Sequence, residues 1–189
     1  MTTTARISEE VRPENIDYRA IAEKLTRDGD AEAHNNLGVA YHVQGQVDLA
    51  ISEYHKALYI NPDFADAHSN LGVAYYAQGN ADWAIKEFRE ALRIDPVLAQ
   101  CHYNLSVAYK ATGNHHLAMA ELKEALDIDP NDAATNFSLG EAYHHQGDTQ
   151  KALEFYEKFI KLAPGDDFQY IEVAKDMINR LSREPALLN

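Results

Sequence analysis

The chain has 189 residues, of which 46% are apolar and 25% charged, and its formal net charge is −13. That length fits one ordinary domain or a short repeat array, and the apolar share is enough for a continuous core. The acidic balance argues against duplex nucleic acid and anionic membrane surfaces, which need clustered Lys and Arg, and favours basic or neutral partners.

In chain order, residues 1–12 hold no apolar run of signal-peptide length and are expected to be disordered. Residues 13–30 read as a short helix. Pro13 suits a first turn, and Ile16, Ala20, Ile21 and Leu25 would pack on the segment that begins at residue 31 or serve self-association. No stretch approaches the ~18 apolar residues of a membrane span. The single cysteine, Cys101, allows no intrachain disulfide and suits a reducing compartment. A cytoplasmic protein that does not enter the membrane is expected.

From residue 31 the sequence repeats itself. Gly45, Gly79, Gly113 and Gly147 are 34 residues apart, as are Pro62, Pro96, Pro130 and Pro164. Tyr41, Tyr75, Tyr109 and Tyr143 keep the same step, as do Leu37, Leu71, Leu105 and Leu139, and Ala50, Ala84, Ala118 and Ala152. A period of this length marks a stack of supersecondary units. Each copy reads as two helices, at 32–44 and 47–60 in copy one. The glycine suits the left-handed position that ends the first helix. The Asn-Pro and Asp-Pro pairs at 61–62, 95–96 and 129–130 end the second, because a residue before proline is pushed out of the α region. Ala50, Ile51, Tyr54, Ala57 and Leu58 form one apolar stripe. One hairpin cannot bury its apolar face alone, so neighbouring copies must stack. After the last copy, Phe168, Ile171, Ala174, Ile178 and Leu181 place an amphipathic helix at 167–183 that would cover the end of the array. A short tail is left at 184–189.

These columns resemble the tetratricopeptide repeat (TPR) family, whose pattern copy two matches with His68, Leu71, Gly72, Tyr75, Ala84, Phe88, Ala91 and Pro96. The resemblance implies an all-α fold, a right-handed α-solenoid of four repeats at 31–64, 65–98, 99–132 and 133–166. Two departures stand out. Copy three has Ser106 where the others have Gly38, Gly72 and Gly140, and copy four has Phe159 in place of the usual alanine.

In such repeats the first helices line the concave, partner-binding face, so the resemblance directs attention to repeat positions 6, 9 and 12. Position 6 carries Asn36, Asn70 and Asn104, and position 9 carries Val39, Val73 and Val107; Tyr76 and Lys110 stand at position 12 of copies two and three. Asn offers both a donor and an acceptor and can pair with a backbone amide in both directions. A ladder of Asn beside Val would grip an extended, basic or polar partner segment by its backbone; the alternative is a column of merely solvated polar residues. Both columns change in copy four, to Ser138 and Glu141, so the first three copies are expected to do most of the binding. The Lys and Arg residues that related repeats use to hold an acidic chain terminus are missing from the matching positions, where Asn35, Val39, Gln100 and Asn104 stand instead.

The other conspicuous residues read as structural. His34, His68 and His102 recur at position 4, a packing position, and equivalent residues of stacked hairpins lie roughly 10 Å apart, too far to share a metal ion. Cys101 reads as a buried, inert thiol. No phosphate loop and no set of nucleophile, base and orienter is present, so no catalytic residue, metal or cofactor is expected. The expected function is that of a protein-interaction scaffold or assembly factor. The competing reading is a structural subunit that links copies of an enzyme complex through its convex face and ends, with possible self-association through the terminal helices.

Overall fold

The computed structural model describes residues 30–163 and 168–183, which form nine α-helices and, among the described residues, no strand. The expected N-terminal helix at 13–30 (save Asp30) and the tails at 1–12 and 184–189 lie outside them. The helices are α1 (Ala31–Val43), α2 (Val47–Ile60), α3 (Ala65–Ala77), α4 (Ala81–Ile94), α5 (Ala99–Ala111), α6 (His115–Ile128), α7 (Ala133–His145), α8 (Thr149–Leu162) and α9 (Phe168–Arg183). The chain divides into two compact units, Met1–Pro62 and Asp63–Asn189.

Local chemistry fixes the helix ends. The carboxylate of Asp30 accepts the Glu32 N–H at 3.0 Å, and that cap starts α1 one residue earlier than the periodicity suggests. Gly45, Gly79, Gly113 and Gly147 have φ of 74°, 81°, 77° and 78°, a region closed to most side chains. In copy one the Gly45 N–H donates to His42 O and the Gln46 N–H to Tyr41 O, both at 2.9 Å. The other three turns repeat this pair of bonds, which satisfies the last carbonyls of each first helix. At the other end, Asn61, Asp95 and Asp129 leave the helix with φ near −130°, −131° and −122°, as a residue before proline must.

In the first unit α1 and α2 pack as a hairpin, with Ala33, Leu37, Ala50, Tyr54 and Ala57 buried. In the second unit the hairpins α3–α4, α5–α6 and α7–α8 follow one another, α4 packing on α5 and α6 on α7, and α9 closes the end against α8. Its core falls into two clusters. Ala84, Phe88 and Ala91 pack with Cys101, Leu105 and Ala108, whereas Met119 and Leu122 belong to a second cluster with Leu139, Tyr143, Tyr156, Phe159, Ala174 and Leu181. The seam between them runs through the third hairpin, which gives its first helix to one cluster and its second helix to the other.

The ring of Phe159 fills the space at the end of the array: it is buried and meets Phe137 edge-on at 5.1 Å. Helix α9 buries Ala174 and Leu181 as its pattern predicts, but Phe168 is 72% exposed and stands at the first turn, outside the packed stripe. Asn35 also departs from expectation, being buried rather than open on the first-helix face.

One tertiary device was not read from the sequence. Nδ1 of His34, His68 and His102 lies 2.7 Å from a carboxylate oxygen of Glu53, Glu87 and Glu121 respectively. Each pair ties the first helix of a hairpin to its second, with both side chains mostly out of solvent. Nε2 of His102 also lies 3.1 Å from Pro96 O. In copy four the corresponding residues are Asn136 and Phe155, and the pair is replaced by Phe155 stacked on Tyr143 at 5.4 Å.

Candidate groove on the first helices

In the second unit a cavity of about 600 Å³ opens between the third and fourth hairpins. Its floor is apolar, made by Ala118, Met119 and Leu122 of α6. Its walls carry four aromatic rings, Tyr76 from α3, Tyr103 from α5, Phe137 from α7 and Tyr170 from α9, beside the polar Ser138, Glu141 and His145. Phe137 is held by rings on three sides, 5.8 Å from Tyr156, 5.1 Å from Phe159 and 5.5 Å from Tyr170, all edge-on. Edge-to-face packing fixes ring orientation, so this wall is preorganised. The Gln146 amide reaches Met119 Sδ at 3.4 Å and steadies the floor at one end.

The charged groups of the cavity are Lys110 and Glu141, with His115 and His145 also in its lining. Lys110 Nζ lies 2.8 Å from Glu141 Oε2, an ion pair that crosses from the third hairpin to the fourth. Lys110 therefore does not stand on this face as an unpaired cation. Beneath it, burial, and secondarily the Glu141 carboxylate, push the Tyr156 phenol up to about 12. Cys101 lies away from the cavity, buried, its Sγ 3.5 Å from Phe88 O. Desolvation there pushes the thiol up to about 11, which suppresses the reactive thiolate.

Of the residues singled out from the repeat pattern, Tyr76, Val107 and Lys110 meet at this cavity. Asn70, Val73 and Asn104 do not line it: Val73 packs against the Phe88–Leu105 cluster, and the side-chain Oδ1 of Asn104 accepts from Gln100 Nε2 at 3.3 Å within α5. Asn36 and Val39 belong to the first unit, where Asn36 is exposed and Val39 is 38% exposed. The cavity thus sits on copies three and four, whereas the Asn column occupies copies one to three. Tyr103 and Phe137 stand at position 5 of the first helices, on the face the resemblance points to, whereas Met119, Leu122 and Tyr170 were missed. Their signal was the break in the repeat at Ser106 and Leu122, which only the packing explains.

Among the described residues no group of three or more His, Cys, Asp or Glu side chains is arranged to hold a metal ion, and no helix is long and apolar enough to cross a membrane.

Models of the tetratricopeptide repeat match residues 43–79, 65–96 and 103–167. No curated protein is significantly similar to the chain in sequence. Among solved structures, one of MamA is 26% identical, with a TM-score of 0.67 over 81% of this chain and 86% of that one. YrrB, described as a TPR protein with an unusual peptide-binding site, is 21% identical, with a TM-score of 0.68 over 89% of this chain and 88% of its own. A chain of the APC/C hetero-tetramer Cut9–Hcn1 is 20% identical with a TM-score of 0.74; 87% of this chain aligns to 32% of it. These neighbours share the α-solenoid fold, and such repeats are typically non-catalytic scaffolds for protein–protein contacts. With its helix pairs, turn glycines and 34-residue period all accounted for, the chain belongs to the tetratricopeptide repeat family.

Proposed function

We propose that the second unit binds a segment of a partner protein along its first helices, and that the chain works as a scaffold or assembly factor. The observation that carries this reading is the 600 Å³ cavity on that side, with Tyr76, Val107 and Lys110 in its wall. A concave apolar site with a few placed polar groups is the usual form of a binding site. Asn70 and Asn104 stand on the same helices and carry amides of the kind that pair with a partner backbone, Asn104 by exchanging its bond from Gln100. Asn36 and Val39 repeat that chemistry on the hairpin of the first unit. YrrB supports the reading, since a protein of this fold carries a peptide-binding site. The net charge of −13 favours a partner segment that is basic or uncharged.

The test is affinity capture from a lysate of the source cells, with wild-type chain beside Asn70→Ala/Asn104→Ala and beside Val107→Glu. Loss of the same captured protein with both variants is expected. Equal recovery with all three would remove the first-helix face from consideration.

A second reading draws on position 19 of the second helices. Trp83 is 53% exposed there and Leu117 37%, and Leu49 occupies the same position in the first unit at 49%. An outward apolar column of this kind suits a subunit that links copies of a complex through its convex face. Sedimentation of wild type and Trp83→Glu separates the readings, because only a convex-face linker loses assembly with that change.

A further inference from the structure

The cavity exists because one hairpin breaks the packing rule of the others, and the break defines what it accepts. In copies one, two and four a ring lies under a glycine of the facing helix. A Cβ added to Gly38, Gly72 or Gly140 would stand 2.5, 2.6 or 2.8 Å from the ring of Tyr54, Phe88 or Tyr156. Copy three changes both partners together. Leu122 replaces the ring, and Ser106 replaces the glycine, its hydroxyl donating to Tyr103 O at 2.6 Å. Ser106 and Leu122 both line the cavity, beside Met119, at the seam between the two core clusters.

From this geometry we infer that the third repeat is an anchor pocket, which takes one bulky, uncharged apolar side chain (Phe, Trp, Leu or Met) from a partner protein segment. The inference rests on the first-helix face being the binding surface and deepens that reading. Three observations carry it. The floor is apolar and the opposite wall is a fixed cluster of aromatic rings, the surroundings in which buried anchor residues gain most. Lys110 and Glu141 already satisfy each other at 2.8 Å, so a charged anchor would lose its hydration and compete with an existing ion pair, the other titratable groups at the rim being His115 and His145. Finally, the site replaces a ring that the other repeats supply from within, so an entering side chain restores contacts that the fold elsewhere provides itself.

The experiment pans a phage-displayed library of short random peptides against the full chain, then measures the selected peptides by fluorescence polarisation. Ser106→Gly/Leu122→Phe rewrites copy three in the pattern of copy two, so it fills the floor with a combination the fold already accommodates. Val107→Trp narrows the mouth from a half-buried position and serves if the double variant fails to fold. The expected result is a selected peptide position restricted to Phe, Trp, Leu or Met, and affinity weakened about 30-fold by either variant. A selected charged residue, or unchanged affinity in both variants, overturns the anchor pocket. If affinity then still falls with Asn70→Ala/Asn104→Ala, the first-helix surface stands without the anchor. If no peptide is selected, or none responds to any of these changes, both readings fall. A wild-type dimer that dissociates in Ser106→Gly/Leu122→Phe would make a second copy of the chain the occupant, and would overturn the partner proposal.

Discussion

Repeats two and three have the same helices, turns and glycine hinge, yet one is closed and the other open. In repeat two Phe88 is 1% exposed and its ring fills the space beneath Gly72. In repeat three Leu122 and Ser106 stand in place of the ring and the glycine, and both line the cavity. Positions 8 and 24 of the repeat therefore act as a unit. A ring demands glycine, and a smaller residue permits a side chain. In this chain the repeat that departs at that pair is the one whose two positions line the cavity.

The largest effect that could break this contrast is a deletion at position 24. Phe88→Ala removes a fully enclosed ring and is expected to cost about 4 kcal/mol. Leu122→Ala borders space that is already open and is expected to cost about 2 kcal/mol. Urea melts of both variants measure this, and equal losses would show that repeat three is as tightly packed as repeat two.

A smaller effect tests the coupling itself. Gly72→Ala is expected to lose about 1–3 kcal/mol through overpacking, although alanine is the better helix former. Adding Phe88→Leu should recover part of that loss, so the two changes combine non-additively. Ser106→Ala, with no ring beneath it, is expected to fall within about 1 kcal/mol of wild type. If Gly72→Ala is as mild as Ser106→Ala, the ring-under-glycine account fails.

The histidine–glutamate pairs sharpen the contrast between the first three repeats and the fourth. A double-mutant cycle on His68→Ala and Glu87→Ala is expected to show a coupling of about 1–2 kcal/mol, because both groups are mostly shielded from solvent and bond to each other at 2.7 Å. The corresponding cycle on Asn136 and Phe155 should show no such hydrogen-bond coupling. Similar values at the two sites would mean that the cycle reads hairpin packing instead of the bond.

The smallest effect is chemical. Native Cys101 should resist iodoacetamide at mildly alkaline pH and react once the chain is unfolded, since burial raises the thiol from 9.0 to about 11. The folded thiol keeps its proton where the unfolded one has begun to lose it. This group's contribution is therefore present below pH 9 and declines as pH rises toward 11. Mass spectrometry of native and urea-treated protein reports the modification, and rapid native labelling would show the thiol to be accessible.

Much of the fold was legible in the sequence because its causes are local. Gly45, Gly79, Gly113 and Gly147 mark turns that need positive φ, and the residues before Pro62, Pro96 and Pro130 must leave the helix wherever they stand. The stacking partners also followed from the period, since each apolar stripe needs a neighbour. The candidate site was legible only in part. The resemblance to the repeat family singled out Tyr76, Val107 and Lys110 on the first helices, and all three line the cavity.

Tertiary structure decided what that face contains. Lys110 stood at position 12 in the repeat pattern, and packing pairs it with Glu141 of the next hairpin at 2.8 Å. Phe137 and Tyr170 come from different helices and become one wall only when α9 folds back on α8. Ser106 was read as a departure from glycine, while the change at Leu122 was passed over. That the two are one event, and that a cavity results, depends on a contact between facing helices that no spacing encodes. The sequence by itself determined where this chain turns, because turns answer to the backbone of a few residues. Where it is hollow depended on side-chain volumes meeting across the third and fourth hairpins, which only packing brings together.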